Sequence, residues 1–298
     1  MMPLWIPVTL FAATVQAIRF SLQKRLKGIG LSTGGATFSR FFFAAPLAAL
    51  AAAVLIWAGG QGMPALGARF WAFAVAGGIS QILATFFTVA LFSQRSFAVG
   101  IAFTKTETVQ VALFSGLILG DHLTGWGWLA VLLGVAGVIL LSHPPRASGE
   151  TLFNRGTLLG LAAGALFGIS AIGYRGATLE IARDDPLLRA ALALACVTTF
   201  QTLAMGAWLR WREPGEITRV ARAWRPTGLV GLAGVVGSFG WFTAFTLENA
   251  AYVRSLGQID LVLSAVISVI WFHERLRLAE VVGMLLLMAG IVLIVEMG

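Results

Sequence analysis

Several ionisable residues lie inside long apolar stretches of the sequence. They are Arg19, Arg40, Lys105, Glu107, Arg189, Arg254 and Asp260. A charged side chain at the centre of a membrane helix is unfavourable by roughly 2.5–3.5 kcal/mol, so each of these residues is a candidate for function. Two interpretations stay open for Glu107 and Asp260. Either acid could exchange a coupling proton or hold a substrate ammonium, or both acids are locked in ion pairs with Arg40, Arg189 or Lys105, since buried charges usually pair.

Neutral polar side chains recur at helical spacing in the same stretches, and aromatic rings lie between them. The candidate substrate-binding residues are Gln16, Phe20, Gln81, Thr85, Thr104, Ser170, Tyr174, Ser238, Trp241, Phe245 and Gln258. Aromatic walls can pack the body of an amphipathic organic solute while amides and hydroxyls hold its polar end. The alternative is that these groups hydrogen-bond neighbouring helices, each contact contributing about 0.6 kcal/mol.

The composition excludes most soluble classes of protein. Hydrophobic residues make up 58% of the 298 residues and charged residues 11%, and the mean hydropathy is +0.87. A soluble domain usually has about 25% charged residues. The net charge of +8 comes mostly from short segments between apolar runs, which suits anionic lipid headgroups rather than nucleic acid.

Cofactor chemistry has little support in the sequence. There is one cysteine, Cys196, and the three histidines do not cluster with acids or cysteine at metal-ligand spacing, so we predict no metal site. The sequence also lacks a phosphate-binding loop of the G-x-x-x-x-G-K-[ST] type, so no ATP-driven motor is expected. We therefore predict no cofactor, no obligate protein partner and no enzyme activity; the partners are a small-molecule substrate and the lipid bilayer.

Ten apolar stretches reach the roughly 20 residues that a membrane-spanning helix needs. They cover residues 4–25, 32–57, 70–93, 97–118, 123–142, 155–177, 187–209, 227–247, 252–272 and 277–297. The first stretch has no basic leader and is interpreted as a retained helix. Because lipid leaves no backbone group unpaired and no period-two alternation is present, the fold class is an all-α polytopic membrane protein.

The chain repeats itself across its middle. A shift of 153 residues aligns segment 119–142 with segment 272–295, placing Asp121 on Glu274 and Glu107 on Asp260. Each half then holds five spans, residues 1–145 and 146–298. Because five is odd, two halves that fold alike enter the membrane in opposite directions, as in the inverted repeats of secondary transporters.

The repeated segments carry a recognisable pattern. Leu119-Gly120-Asp121-His122-Leu123 and Phe272-His273-Glu274-Arg275-Leu276 resemble the drug/metabolite transporter superfamily, in particular its EamA-type ten-helix exporters. Within that group the sequence is most similar to the aromatic amino-acid exporters. The resemblance implies two inverted five-helix repeats around a central cavity, lined mainly by spans 1, 3, 4, 6, 8 and 9, and ATP-independent export across the bacterial inner membrane.

Orientation in the membrane stays open. Thirteen basic residues follow odd-numbered spans and three follow even-numbered spans, which predicts that both termini lie outside the cytoplasm. The resembled family is usually described with both termini in the cytoplasm.

The leading functional hypothesis is a secondary transporter that exports small amphipathic metabolites, amino acids including aromatic ones first, by alternating access. Its driving force is either the solute gradient or proton exchange. Alternatives are an exporter of drugs, sugars or nucleotide-type metabolites, a channel or structural membrane subunit, and a lipid-modifying intramembrane enzyme. Such an enzyme would need a catalytic cluster near a membrane face, whereas Glu107 and Asp260 lie in mid-span.

Overall fold

A computed structural model of the chain describes residues 2–60, 62–107, 110, 125–142 and 154–297. The regular structure in these ranges is entirely helical. The helices are α1 (Trp5–Gly28), α2 (Thr33–Ala58), α3 (Ala68–Leu91), α4 (Phe97–Thr104), α5 (Gly125–Ser142), α6 (Arg155–Leu179), α7 (Pro186–Arg212), α8 (Glu216–Arg222), α9 (Trp224–Leu247), α10 (Ala250–Leu256), α11 (Ile259–Ile270) and α12 (Leu278–Met297). The all-helical prediction is confirmed for these residues.

Seven helices in the described ranges are long and apolar enough to cross a membrane. They are α1, α2, α3, α6, α7, α9 and the stretch Tyr252–Ile270, which joins α10 to α11. Shorter apolar stretches lie in α5, at Leu132–Leu141, and in α12, at Leu278–Leu293. Part of the predicted fourth span, 97–118, lies outside the described residues. Asp121, which follows this span, also lies outside them. Seven of the ten predicted spans therefore meet both criteria within the described residues.

The ninth predicted span, 252–272, corresponds to the membrane-length stretch Tyr252–Ile270, but its helix is interrupted. It comprises α10 and α11, separated by Gly257 and Gln258. The Gln258 amide donates to the Ser255 carbonyl at 3.1 Å, in place of the i−4 bond of an α-helix. A Cβ on Gly257 would lie 2.4 Å from Trp241 Cη2, so a glycine is needed where the ring crosses the break.

The fourth predicted span is interrupted at the equivalent position. α4 ends at Thr104, and the Lys105 amide donates to the Ala102 carbonyl at 3.0 Å. Lys105 and Gln258 are 153 residues apart, as are the first residues of α4 and α10, Phe97 and Ala250. The two breaks therefore follow the register of the sequence repeat.

Helices of the two halves pack against each other in pairs. α1 packs along α9, α3 along α6, α2 along α7, and α5 along α12. Small residues allow close approach in several of these pairs: a Cβ on Gly173 of α6 would lie 2.7 Å from Gly77 Cα of α3. The broken spans cross between these pairs, where α4 contacts α11.

Candidate functional site

The break in the fourth span places Lys105 against Asp260, in the first turn of α11. Lys105 Nζ lies 2.6 Å from Asp260 Oδ1 and donates to Oδ2 at 2.7 Å, while Gln16 Nε2 of α1 donates to the same Oδ2 at 2.8 Å. Lys105 is 2% exposed and Asp260 1%. The N-terminal end of α11 also favours a negative charge at this position. The pair joins the two halves of the chain.

A second pair lies two residues further along the fourth span. Arg254 Nε donates to both carboxylate oxygens of Glu107, at 3.0 and 3.1 Å, and Arg254 Nη2 donates to Oε2 as well. The guanidinium lies 5.3 Å from the Trp241 ring and 5.8 Å from the Phe167 ring. Gly168 of α6 leaves space for the acid, because a Cβ there would lie 3.2 Å from Glu107 Cγ.

Of the two interpretations of Glu107 and Asp260, these contacts favour the ion pairs, since each acid is paired with a base inside the bundle. Lys105 was among the predicted partners, whereas Arg254 was a candidate ionisable residue without an assigned partner. Arg40 and Arg189 pair with neither acid. Pairing across two halves of a chain depends on the tertiary fold, so sequence spacing could not assign Arg254 to Glu107.

Arg189 lies outside the polar core, and its assignment to an intramembrane ion pair needs correction. It belongs to the first turn of α7, where Asp185 caps the helix by accepting from the Leu187 amide at 2.9 Å. Its guanidinium donates to the carbonyls of Thr178 and Leu179 at 2.8 and 3.0 Å. These carbonyls end α6 and have no partner within the helix, so Arg189 satisfies a helix terminus.

Arg40 is buried, at 6% exposure, among neutral acceptors. Its Nη1 donates to Thr85 Oγ1 at 3.0 Å and its Nη2 to Ser238 Oγ at 3.1 Å. With its amide oxygen turned towards Arg40, Gln81 accepts from Nη1 at 2.7 Å and from Nη2 at 3.1 Å, and its amide nitrogen donates to Ser170 Oγ at 2.7 Å. Five predicted site residues thus form one network.

Arg19 lies beside Arg40 and is buried more deeply, at 2% exposure. Its Nη1 donates to Gln23 Oε1, its Nη2 has no hydrogen-bond partner, and the guanidinium lies 4.0 Å from the Phe20 ring. A Cβ on Gly234 of α9 would lie 3.1 Å from Arg40 Cγ and 3.8 Å from Arg19 Cδ. Neither arginine takes part in any ion pair formed by the described residues.

A narrow central cavity lies between these two groups of charges. The predicted site residues that line it are Gln16, Arg40, Gln81, Ser170, Tyr174, Ser238, Trp241 and Phe245. Phe167, Ala171, Phe242 and Arg254 complete its wall. The cavity volume of about 20 Å³ is room for about one water molecule. An organic solute therefore fits only when the surrounding helices separate.

Four predicted binding residues lie away from the cavity wall. Phe20 packs edge-to-face on Phe92 and Phe167 at centroid distances of 6.1 and 6.2 Å. Thr104 Oγ1 donates to the carbonyl of Ile101 in its own helix at 2.7 Å. Gln258 lies at the break between α10 and α11 and is buried. Thr85 also lies behind the wall, but it contacts the cavity residue Arg40.

The acid of the second repeated motif has a structural contact at one end of the bundle. Glu274 accepts from the backbone amide of Phe97 at 2.8 Å, and also from Lys24 Nζ and Ser268 Oγ. It thereby connects the end of α1, the start of α4 and the end of α11. Asp121, its counterpart in the first motif, lies outside the described residues. Within the described ranges, no three His, Cys, Asp or Glu side chains lie close enough together to hold a metal ion.

Comparison with known proteins finds a family match for the second half of the chain. Residues 154–296 match the sequence profile of the EamA-like transporter family. A solved crystal structure aligns over 98% of this chain and 95% of the solved chain, with a TM-score of 0.57. The sequence identity is 18%, so the similarity is one of fold. No curated protein matches the chain. The membrane-length helices support a multi-pass membrane protein, and the profile match relates its second half to a transporter family.

Proposed function

We propose that the whole chain is an EamA-type transporter of ten spans, built as two inverted five-helix repeats, residues 1–145 and 146–298, around the central cavity. The profile match over residues 154–296 supports this for the second repeat. For the first repeat, the support is the 153-residue register that relates the start of α4 to the start of α10 and Lys105 to Gln258.

The helix pairing also supports the inverted repeat. If spans 1 to 5 correspond to spans 6 to 10, the pair α1–α9 corresponds to α6–α3. The pairs α2–α7 and α5–α12 then each correspond to themselves. The observed contacts contain all four pairs, which is the pattern expected when a two-fold axis in the membrane plane relates two halves of odd span number.

The chain then exports small amphipathic metabolites across the bacterial inner membrane, with amino acids, including aromatic ones, as the first candidates. The main support for this substrate class is the composition of the cavity wall. It combines the Arg40 hydrogen-bond network with the stacked rings of Trp241 and Phe245, whose centroids are 5.7 Å apart. Hydrophobic rings and a few converging polar groups are typical of small-molecule sites. Because the cavity is so small, movement of the solute requires the two repeats to rock apart, as in alternating access.

A lipid-modifying enzyme fits these contacts less well. Its chemistry would need an acid or base free to react near a membrane face, whereas Glu107 and Asp260 are both engaged in ion pairs within the bundle.

Counterflow in proteoliposomes tests the proposal. Purified protein preloaded with unlabelled phenylalanine is expected to accumulate labelled phenylalanine or tryptophan without ATP. Trp241→Ala is expected to weaken aromatic solutes more than alanine, because it removes a ring from the cavity wall. Trp211→Ala is the matched control, since Trp211 is 76% exposed at the end of α7. Absence of counterflow for every amino acid tested would refute the substrate class, and equal losses for all solutes would remove Trp241 from the site.

A further inference from the structure

The charges of the buried core do not balance. At or next to the central cavity, the described residues include four cationic side chains, Arg19, Arg40, Lys105 and Arg254, and two acidic ones, Glu107 and Asp260. The other buried acids, Glu216 of α8 and Glu280 of α12, pair with Arg219 and Arg277 of their own segments. Each acid is matched by one base, Asp260 by Lys105 and Glu107 by Arg254. Four positive and two negative charges leave a difference of two positive charges, carried by Arg19 and Arg40. Such an excess in a region of low dielectric attracts an anion strongly.

Arg40 has the geometry to bind that anion. It lines the cavity, and its partners Thr85, Ser238 and Gln81 are neutral groups from three positions around it. A guanidinium presents parallel N–H groups that match the two oxygens of a carboxylate or phosphate. An entering anion could thus exchange places with a neutral acceptor and gain a charge-assisted bond.

Arg19 adds a second cation behind the first. Its Nη2 is buried without a hydrogen-bond partner, and buried polar groups are nearly always satisfied in native structures. Arg19 and Arg40 both pack against Gly234, within 4 Å of the position that its Cβ would occupy. The missing side chain at Gly234 therefore allows both arginines to approach the same region of the core.

A substrate ammonium finds no equivalent partner in the described core. Both oxygens of Glu107 accept from Arg254. Asp260 Oδ2 accepts from Lys105 and Gln16, and Asp260 Oδ1 accepts no hydrogen bond but lies 2.6 Å from the Lys105 ammonium. An ammonium could reach either carboxylate only by displacing a buried base, which would then itself be unpaired.

From this asymmetry we infer that the transported solute is recognised through an anionic group, a carboxylate or phosphate, held by Arg40 with Arg19 supplying the second positive charge, and that a substrate ammonium is dispensable. The inference rests on the proposed transport function and narrows its substrate class. Amino acids then bind through their carboxylates, and organic anions without an amine are equally good or better substrates.

A series of aromatic solutes that differ in charge tests the inference on the wild-type protein. The four competitors are phenylalanine, 3-phenyllactate, phenethylamine and phenyl phosphate, each added to counterflow of labelled phenylalanine. We expect 3-phenyllactate to compete at least as well as phenylalanine and at least about tenfold better than phenethylamine, as one charge-assisted contact predicts. The ranking of phenyl phosphate against 3-phenyllactate decides between phosphate and carboxylate.

Two outcomes separate failure of the inference from failure of the proposed function. If no aromatic solute moves or competes, but another class of solute is transported, the proposed amino-acid substrate class fails. If phenylalanine is transported and phenethylamine competes as well as 3-phenyllactate, transport stands and recognition through an anion is overturned. A tenfold preference for phenylalanine over 3-phenyllactate would equally overturn it, because the ammonium would then be required.

Variants of Arg40 locate the anion. Arg40→Gln is expected to lower the apparent affinity for 3-phenyllactate by at least about tenfold and to leave competition by phenethylamine unchanged or improved. Arg40→Lys keeps the positive charge but loses the paired N–H groups of the guanidinium. Its apparent affinity for 3-phenyllactate is expected to lie between those of the wild type and Arg40→Gln. This variant also covers the case in which Arg40→Gln does not fold. Arg212→Gln, at an exposed arginine ending α7, is the matched control. Equal loss of anionic and cationic solutes in both Arg40 variants would refute the assignment.

Discussion

Two regions of the buried core treat charge in opposite ways. In the ion-pair region, comprising Lys105, Glu107, Arg254 and Asp260, every charge has a partner of opposite sign. In the arginine region, comprising Arg19 and Arg40, the described partners are neutral. Both regions contribute a buried or partly buried residue, Arg254 and Arg40, to the wall of the same cavity, so burial alone does not explain the difference.

The difference lies in which halves of the chain contribute. Each ion pair joins one residue of the first half to one of the second, so the ion-pair region is a connection between the two proposed repeats. Both arginines of the arginine region come from the first half. The two helix breaks lie at equivalent positions of the repeat, whereas the two arginines without an ion pair both lie in the first half. We expect the paired charges to stabilise the fold and the unpaired charges to bind the solute.

The largest effect is expected from Asp260→Asn, which leaves the Lys105 ammonium buried without a counter-charge. Breaking a buried pair by removing one partner typically destabilises a protein by about 3–5 kcal/mol. We expect a large fall in the melting temperature, measured by size-exclusion chromatography of heated detergent-solubilised samples. The variant Asp260→Asn with Lys105→Met removes both charges and should recover part of the loss. Equal melting temperatures for the single and double variants would show that the pair does not stabilise the fold.

Glu107→Gln is expected to have a smaller effect on stability and an opposite effect on binding. It frees Arg254, which lines the cavity and whose side chain retains 11% exposure, so residual solvation limits the destabilisation to roughly 1–3 kcal/mol. The variant raises the number of unpaired core cations from two to three. We therefore expect a lower apparent Km for 3-phenyllactate than in the wild type, measured as initial uptake into proteoliposomes.

The same variant tests proton coupling. If Glu107 takes up and releases the coupling proton, Glu107→Gln transport becomes independent of pH between pH 5 and 9, whereas the wild type depends on it. An unchanged pH profile assigns Glu107 to the ion pair alone. A higher apparent Km of Glu107→Gln for 3-phenyllactate would contradict the expectation that unpaired cations in the core attract the anionic solute.

Gly257→Ala tests the helix break that brings the two regions together. A Cβ there would lie 2.4 Å from Trp241 Cη2 and 3.2 Å from the Val253 carbonyl oxygen, so the ring or the helix must move. Overpacking of this kind usually destabilises by about 1–3 kcal/mol. Gly62→Ala is the control, because a Cβ on Gly62 meets no atom within 4 Å. The measurement is again the melting temperature, and similar values for both variants would contradict a steric role for Gly257.

The sequence was sufficient to predict the elements that lipid dictates. Apolar length predicts α2 at 32–57 against Thr33–Ala58 observed, and α6 at 155–177 against Arg155–Leu179. It could not predict the break at Gly257, because glycine is common in continuous membrane helices and nothing local distinguishes this one. The reason is tertiary, since the Trp241 ring of α9 occupies the space where a side chain would be.

The candidate site was predictable in part for a similar reason. The rarity of charge in apolar stretches identified Arg40, Lys105, Glu107 and Asp260, which the structure places in the core. Arg189 has the same sequence context but lies at a helix start. A local signal for this exists, because Asp185 caps α7 and Pro186 is its first residue, four and three positions before Arg189. The division into paired and unpaired charges depends on contacts between halves, which spacing within one helix does not encode.

The smallest effect is expected from Arg69→Ala, and it calibrates the others. Arg69 forms an ion pair with Glu180 at 3.8 Å, with side-chain exposures of 82% and 31%. Water already solvates Arg69, so such pairs contribute roughly 0–1 kcal/mol and are weakened by salt. We expect a melting temperature close to that of the wild type and unchanged counterflow of every solute. If Arg69→Ala destabilised the protein as much as Asp260→Asn, loss of an ion pair would cost the same at the surface as in the core. The contrast between the paired and unpaired regions would then lose its physical basis, because that contrast depends on burial.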